Sequence, residues 1–335
     1  MDHALMLLVL VIALTLIFDF INGFHDSANA IATVVSTRVL TPTKAVIYGA
    51  VLNFLGALMG TEVAATIGSG LVDVDFISMQ TVLCTVLAAI IWNLITWYKG
   101  LPTSSSHAII GALLGASVAS AAEGAGWHHI HWESLMAKVV VPMLGSPVLG
   151  ITLGFFVMTG LTWLIYKMNP GRINRLFGRL QIASAGFMAV THGLNDAQKS
   201  MGIIALALVM ANPGMEFHVP LWVKIACAIA MGAGTMLGGW RIINTMGSKM
   251  IRLQPIHGFA AETTASMIIG GASLLGIPVS TTQVITTSIM GVGSTRRLSA
   301  VRWGVVGNIV WAWVLTLPLT FAFSAMLMIA YKTLL

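Results

Sequence analysis

The sequence predicts an all-α polytopic membrane protein with two inverted-topology repeats of five segments each, broken helices and re-entrant hairpins. The prediction depends on composition, on the apolar segments and on two polar motifs that each occur twice. Of the 335 residues, 57% are hydrophobic and 8% are charged, whereas a soluble domain carries roughly 25% charged residues. Because the apolar runs are continuous and long, they favour helices over the alternating strands of a membrane barrel, which are about ten residues long.

Each half of the chain contains five apolar segments of the length that a membrane helix or hairpin arm requires. In the first half they are 4–35, 45–67, 79–98, 104–121 and 139–166. In the second half they are 182–210, 221–243, 258–275, 280–292 and 303–331. We therefore predict a first repeat at 1–166, a basic cytoplasmic linker at 167–180 and a second repeat at 181–335.

Two polar motifs recur in the same order in both halves. The acidic motif is N-G-F-H-D-S-A-N-A-I-A-T at 22–33 and T-H-G-L-N-D-A-Q-K-S-M-G at 191–202. The hydroxyl motif is L-P-T-S-S-S-H at 101–107 and I-P-V-S-T-T-Q at 277–283. Polar and acidic side chains inside apolar segments are costly and indicate a functional site.

The spacing of these motifs indicates an internal repeat. Asp26 and Asp196 are 196 − 26 = 170 residues apart, and Ser104 and Ser280 are 280 − 104 = 176 residues apart. Two motifs at nearly the same offset are the signature of a duplicated unit. An odd number of segments per repeat makes the second copy enter the membrane from the opposite face, which is a common transporter architecture.

The basic residues agree with this topology. If both termini lie outside, the outer loops hold only Lys138, Lys224 and Lys332, and the positive-inside rule is obeyed. Lys99 and Lys199 are not counted, because they belong to motifs. The predicted cytoplasmic loops hold the other twelve basic residues: Arg38, Lys44, Lys167, Arg172, Arg175, Arg179, Arg241, Lys249, Arg252, Arg296, Arg297 and Arg302.

The third and fourth segments of each half either span the bilayer or form a re-entrant hairpin. We favour hairpins, because a proline followed by Ser and Thr is a good helix start and because the hydroxyl motifs would then meet near mid-membrane. Two helix N-termini aimed at one point form an anion site. The alternative is that these hydroxyls only cap two helices. The candidate anion-binding residues are Ser104, Ser105, Ser106, Ser280, Thr281 and Thr282.

The aspartates suit a coupling cation or proton better than an anion. Asn22 and Asn29 lie near Asp26, and Asn195 and Gln198 lie near Asp196. Carboxylate and amide oxygens form a ligand set for a hard cation, whereas a carboxylate with a nearby histidine carries protons. The alternative is a fixed ion pair, for which Lys199 is the obvious partner of Asp196.

Two further buried acids deserve notice. Glu262, inside the third segment of the second half, serves either in coupling or in an interhelical hydrogen bond. Asp19 lies seven residues before Asp26, which is about two helical turns on a similar face.

With these motifs the sequence closely resembles the PiT family of inorganic phosphate transporters, from the first segment to the last. The resemblance implies secondary active symport of inorganic phosphate with a cation. It also implies two inverted repeats, re-entrant hairpins and a homodimer. Family members differ in using Na⁺ or H⁺, and some relatives move sulfate.

The sequence departs from the pattern of sodium-coupled members, which read N-D-x-x-N in both motifs. The first motif reads H-D-S-A-N from His25 to Asn29, and the second reads N-D-A-Q-K from Asn195 to Lys199. Our hypothesis is that the ammonium of Lys199 fills one cation site, which favours H⁺ over Na⁺. The alternative is Na⁺ at Asp26 and Asp196.

This pattern resembles the bacterial Pit subgroup, whose substrate can be a neutral complex of phosphate with a divalent metal. It implies a bacterial inner membrane, no cofactor and no nucleic-acid partner. Sulfate symport remains the alternative within the same fold. An intramembrane hydrolase built around Ser106 and His107 is a remote alternative, because a hydrolase needs a single nucleophile and this chain duplicates its motifs.

Overall fold

The computed structural model describes residues 3–120, 126–212, 214–295 and 297–334, and these are almost entirely helical. Two predicted features lie outside the described residues: the end of the fourth segment at Ala121 and the basic side chain of Arg296. The first half contains α1 (His3–Ser36), α2 (Pro42–Ala57), α3 (Glu62–Ser69), α4 (Met79–Lys99), α5 (Ser105–Val118), α6 (Trp132–Leu135) and α7 (Val141–Ile165), with a π-helical turn joining α6 to α7. The second half contains α8 (Pro170–Ala211), α9 (Leu221–Leu237), α10 (Trp240–Asn244), α11 (Pro255–Leu274), α12 (Thr281–Ser294) and α13 (Trp303–Leu334).

Several of these helices are long and apolar enough to cross a membrane. Four pass by themselves: α1, α4, the joined α6–α7 helix and α13. Two bent pairs pass together, α2 with α3 and α9 with the helix that begins at Trp240. A hydrocarbon core is about 30 Å thick and a helix rises 1.5 Å per residue, so the described part of the chain belongs to a multi-pass membrane protein.

The basic segment 167–180 is mostly helical. A short turn follows α7, and α8 then runs unbroken from Pro170 for 42 residues, which corresponds to roughly 63 Å. Arg172, Arg175 and Arg179 lie on its first turns and are exposed. The helix therefore extends well beyond the membrane at its basic end.

The breaks in the helices do not lie where the sequence predicted. The prediction that the segments around Asp26 and Asp196 are broken is wrong, because α1 and α8 are continuous through both motifs. The second segment of each half is broken instead. Helices α2 and α3 meet at 69°, and α9 and α10 at 59°. At the motifs, side chains of neighbouring helices satisfy one another, so the backbone has no need to unwind.

The packing has the same pattern in both halves. Helix α1 packs against α4, α8 and α9, and α8 packs against α11, α1 and α2. Helix α13 packs against the α4–α5 pair, while α7 packs against the α11–α12 pair. Each half is thus completed by helices of the other, and exchanging the halves maps one set of contacts onto the other.

The two hydroxyl motifs form tight tips that meet inside the protein. Gly100 and Gly276, 276 − 100 = 176 residues apart, have φ values of 66° and 67°, a left-handed conformation that glycine adopts without strain. Beyond them the chain turns into α5 and α12. The hydroxyl of Ser106 on one tip donates to the Val279 carbonyl of the other at 2.9 Å. The predicted meeting of the tips is confirmed.

Candidate functional site

Helices α1 and α8 bring the aspartates of the two halves together. Asp26, Asp196 and His192 each offer one ligand atom, and these atoms lie within 4.8 Å of one another. None of the three side chains is more than 2% exposed. The two predicted half-sites are therefore one buried cluster, which in this conformation is closed to solvent from both sides.

Ion pairs connect this cluster to its neighbours. Lys199 Nζ lies 2.8 Å from Asp196 Oδ1, and His192 Nε2 lies 3.4 Å from Asp196 Oδ2. On the other aspartate, His25 Nδ1 lies 2.6 Å from Asp26 Oδ1. The cluster thus holds two carboxylates, one ammonium and two imidazoles, so the ammonium balances only one of the carboxylates.

The tip hydroxyls repeat the same contacts in both halves. Ser105 donates to Asp26 Oδ2 at 2.8 Å, and its repeat equivalent Thr281 donates to Asp196 Oδ2 at 3.3 Å. The residue three positions after each aspartate reaches the opposite tip. Asn29 donates to Thr281 at 3.2 Å, and Lys199 donates to Ser105 at 3.0 Å. Lys199 thus takes the position of an amide in the other half.

The remaining tip residues have local partners. Ser104 and Ser280 are N-caps of α5 and α12, each accepting from the backbone N–H three residues later at 3.2 Å. Thr282 accepts a hydrogen bond from Asn29 at 2.9 Å. A single cap satisfies only part of a helix N-terminus, so both tips retain the positive end of a helix dipole beside the aspartates.

Both imidazoles are oriented by second partners. His25 Nε2 lies 3.0 Å from Thr96 Oγ1, which also receives a hydrogen bond from Thr103. His192 Nδ1 lies 2.9 Å from Asn53 Oδ1. The Asn53 amide nitrogen donates elsewhere, to Thr235, so its oxygen is free to accept. His192 Nδ1 is then the donor, and Nε2 faces Asp196.

Two predicted coupling residues hold the frame of the site. Gln198 Oε1 accepts from the backbone N–H groups of Val63 and Ala64 at 2.7 and 3.1 Å, and so caps the N-terminus of α3. Asn195 donates to Ser273 at 2.8 Å on α11. The structure therefore does not place these two amides on the carboxylates, because both are engaged by neighbouring helices.

Glu262 forms a separate buried cluster. Its carboxylate accepts hydrogen bonds from Thr33 and Ser184, and from Gln181 at 3.1 Å. Thr33 lies seven residues after Asp26, about two turns further along α1. Asn22, the last of the predicted coupling residues, is buried, and neither atom of its amide has a hydrogen-bond partner.

His192 is the functional candidate that the sequence undervalued. It precedes Asp196 by four residues, which places the two side chains on one helix face. It is also the repeat equivalent of Asn22, since 192 − 22 = 170. Those two signals identify it. Thr96 and Thr103 carry no such signal, because only the packing of α4 against α1 brings them to His25.

Comparisons with known proteins agree with this geometry. The model of the "Phosphate transporter family" matches residues 22–173 and 166–324. A "Probable low-affinity inorganic phosphate transporter" of Rhizobium meliloti (strain 1021) is 47% identical over 322 residues, covering 96% of this chain and 95% of that protein. A protein of the same description from Bacillus subtilis (strain 168) is 46% identical over 329 residues, covering 97% of each.

A solved structure has the same fold. "The sodium-dependent phosphate transporter" is 25% identical, with a TM-score of 0.85 over 98% of this chain and 100% of its own. Together with the buried charged cluster between two matching halves, these similarities indicate a membrane transporter and not an enzyme. The chain belongs to the phosphate transporter family.

Proposed function

We propose that the protein is a secondary active symporter that moves inorganic phosphate together with a cation, H⁺ in preference to Na⁺, by alternating access. The observation that carries this proposal is the position of both tips. The hydroxyls that suit an anion and the carboxylates that suit a cation lie in one buried cluster, joined by the Ser105–Asp26 and Thr281–Asp196 contacts.

These two contacts suggest how cation and anion are coupled. In this conformation the Ser105 and Thr281 hydroxyls donate to carboxylates, so a phosphate must compete with the aspartates for the same donors. A cation or proton that neutralises the carboxylates weakens their hold and frees the hydroxyls for phosphate. Linkage requires that phosphate raise the affinity for the cation by the same factor.

The preference for H⁺ rests on the charged neighbours of the aspartates. Lys199 occupies the position that Asn29 has in the first half, so one positive charge is already built in at Asp196. The Thr96 hydroxyl has backbone carbonyls of its own helix as acceptors, which makes His25 Nε2 the donor to Thr96. The 2.6 Å contact between His25 Nδ1 and Asp26 then requires a second proton. This pair is suited to carry H⁺.

Sodium coupling is the second candidate, because the solved structure with this fold is described as sodium-dependent. The Asp26, His192 and Asp196 ligand atoms would then hold the ion. Sulfate is the alternative anion, since the same hydroxyls and helix N-termini suit any tetrahedral oxyanion. A divalent metal–phosphate complex is a third form of the substrate that the cluster must be tested against.

The matched packing of the two halves supports a transport cycle in which one half moves against the other around the buried cluster. We place the exposed basic turns of α8 in the cytoplasm of a bacterial cell, in its inner membrane, with both termini outside. A homodimer completes the proposal.

The test is uptake of labelled phosphate into proteoliposomes under one imposed gradient at a time. We expect a pH gradient, acidic outside, to drive accumulation in Na⁺-free buffer, and excess arsenate to compete more strongly than sulfate. Uptake that requires Na⁺ and ignores the pH gradient would overturn the H⁺ assignment. Preferential competition by sulfate would overturn phosphate as the substrate. Repeating the assay with and without Mg²⁺ tests the metal–phosphate complex.

A further inference from the structure

A second acidic position on α1 lies outside the cluster described above. Asp19 is fully buried, and neither of its carboxylate oxygens has a hydrogen-bond partner. The amide of Asn22 and the hydroxyl of Ser200 are also fully buried and without hydrogen-bond partners. Five polar atoms on three side chains are thus unsatisfied between α1 and α8.

Unsatisfied buried polar groups of this kind need an explanation. A buried polar group without a partner costs several kcal/mol in an apolar medium, and a buried carboxylate costs more. Such groups in a native protein indicate a function, a water or an ion that occupies the gap between them. Carboxylate, amide and hydroxyl oxygens are also the ligands that a small hard cation prefers.

The position of Asp19 relates it to the main cluster. Asp19, Asn22 and Asp26 are spaced by three and four residues, so they lie along one face of α1. Seven residues of helix separate the two carboxylates by about 10.5 Å along the axis. Ser200 and Cys227 lie beside Asp19, and the charged groups that act on it are Asp196 and Lys199.

The repeat makes Asp19 one-sided. Its equivalent in the second half is Ala189, since 19 + 170 = 189, and alanine has no polar side chain. Asp19 also lies on the side of Asp26 toward the N-terminus, which the basic loops place outside. The second half thus offers no matching carboxylate toward the cytoplasm at this position of α8.

We propose that Asp19, with the Asn22 amide beside it, is an entry station that binds the coupling cation from the outside before it reaches Asp26 and Asp196. The proposal rests on the symport function proposed above and adds a residue to its cation path. A monovalent cation, H⁺ as hydronium or Na⁺, fits one carboxylate with neutral oxygen ligands. Asp19 acts on the cation alone and has no contact with the hydroxyl tips.

The test separates the cation path from the anion path. Asp19→Asn in proteoliposomes should lose about tenfold of its gradient-driven phosphate uptake. Exchange of labelled for unlabelled phosphate, at equal ion concentrations on both sides, should stay within about threefold of wild type, because the tips are intact. Running the pH gradient and the Na⁺ gradient separately identifies which cation the station takes.

A neighbouring residue provides the control. Thr15 is buried one turn before Asp19, and its hydroxyl bonds within its own helix to the Val11 carbonyl at 2.7 Å. Thr15→Val removes a polar group from α1 without touching the station, so both readouts should match wild type. If Asp19→Asn fails to fold, Asn22→Ala provides the second variant, with the same loss of gradient-driven uptake and the same preserved exchange.

The outcomes are distinct. Gradient-driven uptake equal to wild type in folded Asp19→Asn overturns the entry station while leaving symport intact. Loss of uptake and exchange together, in a folded protein, overturns it as well, because Asp19 would then serve the anion or the frame. A wild-type protein that takes up no phosphate under either gradient overturns the symport proposal itself.

Discussion

The acidic motifs on α1 and α8 have the same geometry and different charges. Asp26 and Asp196 each accept from the equivalent hydroxyl of their own half, Ser105 or Thr281. The residue three positions further reaches the opposite tip in both halves. That residue, however, is neutral on α1 and is Lys199 on α8. The imidazole also changes place, directly before the aspartate on α1 and four residues before it on α8.

The difference teaches that the frame was kept while the charges were not. On α8 the carboxylate has a permanent counter-charge, whereas on α1 its close charged neighbour is a histidine that gains and loses a proton. The α8 motif therefore behaves as a fixed ion pair, and the α1 motif as the variable one. Each prediction below changes one side of this comparison.

The largest expected effect is on stability, from Asp196→Asn. This variant leaves the fully buried Lys199 ammonium without its carboxylate, and breaking a buried pair in this way costs about 3–5 kcal/mol. Thermal unfolding of the purified protein in detergent should show a large drop in the midpoint. The double variant Asp196→Asn with Lys199→Asn should recover most of it. Failure of the double variant to recover would contradict the fixed pair.

The opposite result is expected from Asp26→Asn. Its partner His25 becomes neutral without stranding a charge, so the protein should fold with a midpoint near wild type. Gradient-driven phosphate uptake should fall by about a hundredfold, because the variable carboxylate is gone. Asp75→Asn, an exposed acid far from the cluster, is the control. Uptake near wild type in Asp26→Asn would remove this residue from the coupling step.

Lys199→Asn makes the two motifs alike at the position that differs. It removes the built-in charge and restores an amide that can reach Ser105, as Asn29 reaches Thr281. We expect pH-driven uptake to fall by about tenfold and uptake stimulated by Na⁺ to appear. Uptake in paired Na⁺ and choline buffers measures this. A variant that stays insensitive to Na⁺ would show that the lysine does not fill a cation site.

The smallest effect on transport is expected from Gln198→Ala. The amide caps two backbone N–H groups of α3 and does not contact the carboxylates. Its loss should destabilise the protein by about 1–3 kcal/mol and lower the unfolding midpoint. Uptake per folded molecule should be unchanged. A fall in uptake at equal folded protein would return Gln198 to the cation site.

Much of the site could be predicted because its residues are costly in hydrocarbon. Acidic and amide side chains inside apolar segments mark themselves, and their duplication at offsets of 170 and 176 identifies pairs that must meet. The ion pair of Lys199 with Asp196, left open as an alternative by the sequence, is formed in the structure. The roles of Gln198 and Asn195 could not be predicted, since an amide beside an aspartate suits a ligand and a helix cap equally.

The sequence by itself determined the class of the protein, the two-fold organisation and the identity of the paired motifs. These depend on composition and periodicity, which are properties of the chain. The tertiary structure alone decided that α1 and α8 stay unbroken, that the breaks fall in α2–α3 and α9–α10, and that His192 joins the cluster. The reason is physical: a buried polar group is satisfied by whichever neighbour the packing supplies, and packing joins residues more than a hundred positions apart.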